Sequence, residues 1–152
     1  MIHEGQSTVG TTDARAPQRT STERPRDRWG RPLPWGENGF PTVPPRAWIS
    51  SEDAIAQAVD YLSEDLPFHA HEVLEQRWRC CPPGESGLWR ALAQWAAGAT
   101  HAARGNARGA RALRERGRAG VRQHGSGQAG DSASTERFAD DLDRLIAALE
   151  VE

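Results

Sequence analysis

A chain of 152 residues with 37% apolar and 26% charged residues has material for one modest hydrophobic core and not for several domains. Its formal net charge of -2 gives no global electrostatic reason to expect a nucleic-acid partner. No apolar run approaches the roughly 20 residues that cross a bilayer, and no signal-like segment opens the chain, so a cytoplasmic protein without a membrane partner is expected.

Residues 1–27 mix Thr, Ser, Gly, Arg and acidic residues with almost no large apolar side chain, the composition of a disordered tail. Residues 28–50 differ. Five prolines between Pro32 and Pro45 forbid a continuous helix, while Trp29, Leu33, Trp35, Phe40, Val43 and Trp48 are costly to leave in water. This pattern predicts an extended arm, laid as a strap over the chain's own helices or over a partner subunit; a ligand for a proline-recognition module is the alternative.

Helices follow. Ser50 or Ser51 with Glu52 and Asp53 forms a capping signature before Ile55, Val59 and Leu62 at helical spacing, so a first helix is expected over 52–63. Pro67 suits the first turn of a second helix that stops near Cys80, because Pro82, Pro83 and Gly84 cannot continue it. Ser86 caps a third helix over 87–104 with a stripe of Trp89, Leu92, Ala96, Ala99 and Ala103, and Gly105 ends it. A fourth, Arg-rich helix runs from Asn106 to Gln123, where glycines at 109, 117 and 120 are expected to fray its end. After a Gly/Ser loop over 124–133, a last helix over 134–152 carries the stripe Phe138, Leu142, Leu145, Ile146 and Leu149, to be buried in cis or on a second copy. With no competing strand alternation, the class is all-α, with a helical core over 51–123.

Chemistry concentrates in the second helix. At about 100° per residue, Phe68, His71, Glu72, Glu75 and Trp78 share an arc of roughly 120°. His71-Glu72-Val73-Leu74-Glu75 is similar to the zinc-protease pattern His-Glu-x-x-His with Glu75 in place of the second histidine. One divalent metal held by His71, Glu75 and His101, with Glu72 as general base, would make a hydrolase. A hydrogen-bonded network that joins the same residues to Gln94 and His101 and fixes helix register is the simpler use. His69 points about 100° away from Phe68 and is expected at a rim or in solvent. The adjacent Cys80 and Cys81 match neither a zinc ribbon nor a disulfide framework. Trp78, Trp89 and Trp95 read as core, and the arginines between 104 and 122 as a solvated face.

The run Phe68-His69-Ala70-His71-Glu72-Val73-Leu74-Glu75-Gln76-Arg77-Trp78, then Leu88 to Gln94 and His101 to Ala110, resembles the bacterial family called domain of unknown function 309 over about residues 51–117. The resemblance implies a small all-α array, brings no established activity, and puts the family's hallmark positions on His71, Glu72, Glu75, Trp78, Gln94, His101, Gly105 and Asn106. Ala91 stands where a glycine is expected.

Three functions compete: a binding module that takes a small ligand or peptide between Phe68 and Trp78, the metal-dependent hydrolase, and a structural homo-oligomer that exchanges arm or last helix.

Overall fold

The computed structural model describes residues 23–125 and 132–150, so the expected tail falls almost wholly outside the described residues. Among the described residues five α-helices follow one another: α1 (Ser51–Ser63), α2 (Pro67–Cys80), α3 (Ser86–Ala103), α4 (Ala107–His124) and α5 (Ser132–Glu150). Local chemistry sets their ends. The Ser50 hydroxyl accepts the Asp53 N–H at 3.1 Å to start α1, and Pro67 opens α2. A short 3-10 turn at Pro83–Glu85 precedes α3, so Ser86 is its first residue and not its cap. Gly105 takes φ +82°, a left-handed conformation in which glycine is unstrained, and Asn106 then caps α4 by accepting the Gly109 N–H at 3.0 Å.

α2 packs antiparallel to α3, and α3 to α4. Along α2 and α3, Phe68 meets Arg104, His71 meets Ala93 and Trp78 meets Ser86. Trp89, Leu74, Leu88, Leu92 and Val73 are fully buried between them, each worth about 1.5–3 kcal/mol of transfer free energy. α5 docks in cis on α1 and α3: Leu142, Leu145 and Leu149 join the core, Phe138 meets Trp89 edge to face, and Arg118 of α4 holds Glu150 through two bonds of 2.8 Å.

The glycines of α4 do not fray it. Gly109 lies beside the Asn106 cap, while Gly117 and Gly120 are where α3 and α4 touch: a Cβ on Gly117 would lie 2.7 Å from the Trp95 Cβ, and one on Gly120 would lie 2.5 Å from the Ala91 Cβ. The glycine expected at position 91 is thus found across the interface, at position 120, and the close helix contact survives.

The Pro-rich arm is a strap over the chain's own helices. Its first part is a turn in which the Asp27 carboxylate accepts the N–H groups of Trp29 and Arg31 and the Arg31 Nε–H, all at 2.9 Å. Burial pushes the Asp27 carboxyl up, but these hydrogen bonds and the Arg31 charge outweigh it and hold the group below the usual carboxylate range. Gly30, at φ +75°, rests against the Phe68 ring, where a Cβ would come within 2.4 Å. Val43 and Ile49 are buried, whereas Trp35 and Trp48 remain about two-thirds exposed at 66% and 65%, contrary to the expectation that the arm covers its aromatics.

Candidate functional site

α2 is polar on two sides, for different reasons. On the side singled out in the sequence, the His71 Nδ1 lies 3.0 Å from the Ala93 carbonyl oxygen of α3. A carbonyl only accepts, so Nδ1 carries a proton and donates it. The Nε2 therefore faces the Glu75 Oε2 at 3.2 Å, across one helical turn. A bare imidazole lone pair aimed at a bare carboxylate oxygen is repelled, so this contact suits a proton or a metal cation between the two atoms. Arg79 pairs with the other oxygen of Glu75 from the solvent side. Ligand atoms of His71, Glu72 and Glu75 all lie within 4.8 Å of one another, and all three residues are half-buried. The Glu72 carboxylate has no hydrogen bond or ion pair among the described residues.

The walls are aromatic. The Phe68 ring centroid lies 6.4 Å from that of His71, with the Arg104 guanidinium 6.0 Å above Phe68. Arg104 also donates to the Trp29 carbonyl at 2.8 Å and so fastens the arm turn to this rim. Trp78 is 36% exposed at the other end, not core as expected, and its indole N–H donates to the Ser86 hydroxyl at 3.1 Å.

The partners expected from α3 sit elsewhere. Gln94 is half-buried, but the oxygen that meets His71 belongs to its neighbour Ala93. The His101 Nδ1 lies 3.0 Å from the Asn106 side-chain nitrogen, whose amide oxygen is already turned to the Gly109 N–H. The amide nitrogen donates, so in the neutral ring the His101 proton is on Nε2. His101 is not among the converging ligand atoms.

The second polar side of α2 escaped the sequence reading. His69, placed there at a rim or in solvent, is 4% exposed; its Nε2–H donates to the Pro41 carbonyl at 2.6 Å, and Phe40, Tyr61 and Phe68 surround the ring. Gln76 donates to the Pro44 carbonyl at 2.8 Å and accepts from Arg46 at 3.1 Å. Arg77, 7% exposed, donates to the Ile49 carbonyl at 3.0 Å, meets the Glu85 carboxylate at 3.4 Å and lies 5.5 Å over the Trp89 ring. The Cys80 sulfur touches the Ile49 N–H and carbonyl. The signal was available: an irregular Pro-rich arm leaves carbonyls without ladder partners, and His69, Gln76, Arg77 and Cys80 fall in one arc of about 100° on α2. Burial pushes the Cys81 thiol up despite the nearby Arg77, which keeps it protonated and a poor metal ligand or nucleophile at neutral pH.

No helix among the described residues is long and apolar enough to cross a membrane. No curated protein and no solved structure matches the chain. Residues 55–113, which hold most of α1, all of α2 and α3 and the start of α4, match the family model described as domain of unknown function (DUF309).

Proposed function

We propose that this is a helical binding domain whose open α2 face, with His71, Glu72 and Glu75, takes a positively charged group, a divalent metal ion in the simplest case. The observation that carries the reading is the orientation of His71. Its Nδ1–H is spent on the Ala93 carbonyl, the outer-shell arrangement that fixes a ligating imidazole and leaves Nε2 directed at Glu75. One nitrogen and two carboxylates suit a borderline ion such as Zn²⁺ or Mn²⁺.

Binding is favoured over hydrolysis. A hydrolase needs Glu72 as base, which leaves His71 and Glu75 as the only converging ligands among the described residues, with His101 turned to Asn106. With three ligands from one helix, the ion keeps open positions that a carboxylate or carbonyl of a small ligand or peptide could fill between Phe68 and Trp78.

Isothermal titration of the full chain with Zn²⁺ and Mn²⁺ tests the reading. Near-stoichiometric binding of one of them is expected, weakened at least about tenfold by Glu75→Gln or Glu72→Gln. Equal titration curves for parent and both variants would reject it.

A further inference from the structure

The second polar side of α2 is built as a reader of extended polypeptide. Three side chains from that side, His69, Gln76 and Arg77, donate to three main-chain carbonyls of the arm, those of Pro41, Pro44 and Ile49. The spacing matches a polyproline conformation. Pro41 and Pro44 are three residues apart, one polyproline turn of about 9 Å, which returns both carbonyls to the same side of the strand. His69 and Gln76 are two helical turns apart, an axial rise of about 10.5 Å, on the same side of α2. Val43, between the two carbonyls, is buried against the core, while Thr42 and Pro45 face outward as exposed residues. Arg46 then closes the segment by donating to Gln76 and, at 2.7 Å, to Gln57 of α1.

The contacts to Pro41 and Pro44 do not depend on covalent continuity, whereas Ile49 adjoins the Ser50 cap of α1. The donors read carbonyls, which every peptide has, and selectivity comes from prolines that pre-set the extended shape and from one aliphatic side chain placed between them. We infer that this side of α2 is a peptide-recognition surface for an extended Pro-x-aliphatic-Pro segment of a partner protein, and that the chain's own arm is its resident ligand in cis. The arm thereby competes with the partner, because a tethered ligand acts at a high effective concentration. This surface is separate from the cation site proposed above, and neither reading rests on the other.

The test uses the full chain with its arm weakened. A Val43→Asp variant removes the aliphatic anchor of the arm without touching α2, and the probe is a fluorescein-labelled synthetic peptide that copies residues 39–50. In fluorescence anisotropy the variant is expected to bind the peptide at least about tenfold more tightly than the parent, whose surface the cis arm already fills. Adding Gln76→Leu to the variant, or replacing both Pro41 and Pro44 by Ala in the peptide, should weaken binding at least about fivefold. If Val43→Asp lowers the helical circular dichroism, Val43→Ala takes its place, with the same expectations. Absence of saturable binding by an arm-weakened variant of parental helicity would overturn the inference. A doubled mass of the parent in light scattering, reversed by Gln76→Leu, would mean that arms are exchanged between copies, and would equally overturn it.

Discussion

Two polar sides of one helix, a few ångströms apart, meet opposite fates. His69, Gln76 and Arg77 are buried and each donates to a main-chain carbonyl of the strap between Pro41 and Ile49, with only the His69 Nδ1 and the Arg77 Nε left without a hydrogen-bond partner among them. His71, Glu72 and Glu75 are half-buried, and their charge is incompletely answered: Arg79 reaches Glu75 from solvent, and no partner among the described residues reaches Glu72. A polar group under cover must be paired to persist, whereas a polar group left reachable can keep capacity for a ligand. The first side therefore holds the arm to the helices, where a peptide is inferred to compete with it, and the second is where cation binding is proposed.

The difference can be broken from the closed side first. Arg77→Ala removes the bond to Ile49, the pair with Glu85 and the stacking on Trp89, and leaves the Ile49 carbonyl with only the weak Cys80 thiol contact and the half-buried Glu85 carboxylate without its Arg77 partner. It should lower unfolding stability by about 3 kcal/mol in urea titration. A loss below about 1 kcal/mol would mean that the strap contributes little.

Acid should loosen the strap at its other end. The Asp27 carboxylate is held below the usual range in the folded turn, so the protonated form is favoured by the unfolded chain. Its contribution is complete at neutral pH and is lost as pH falls below about 4 and through the depressed folded value. Hydrogen exchange at the Trp29 and Arg31 amides should accelerate over that window relative to neighbouring amides corrected for intrinsic rates, and in Asp27→Asn this pH dependence should disappear. The same relative acceleration in the variant would refute the assignment.

The open side should respond least. Glu72→Gln keeps shape, removes a charge that has no partner among the described residues, and should change stability by no more than about 0.5 kcal/mol in the same urea titration. A destabilisation above about 1.5 kcal/mol would show that Glu72 is a structural member of the fold.

Much of this was legible in the letters. Helix limits followed from Ser50, Pro67, Gly105 and Asn106, because caps and breakers act locally. The polar arc from Phe68 to Trp78 was visible because helical periodicity alone creates it. What periodicity could not supply was the answering group: His71 is met by a main-chain carbonyl, which every residue carries and no letter marks, where a Gln94 or His101 side chain was expected. His69 was misplaced for a related reason, since an irregular arm has no period from which its path over α2 could be read. Gly117 and Gly120 of α4 looked like weak helix formers when only local propensity was weighed; their role depends on Trp95 and Ala91 across the interface.

The most direct test of the open side is a crystal of the full chain grown with Zn²⁺ and examined by anomalous diffraction at the zinc edge. The account predicts a peak about 2.0–2.1 Å from the His71 Nε2, bridged to Glu75, with the Nδ1–H still on the Ala93 carbonyl. A crystal in which zinc is bound elsewhere, or in which His71 has turned its Nδ1 from Ala93 toward the ion, would contradict it.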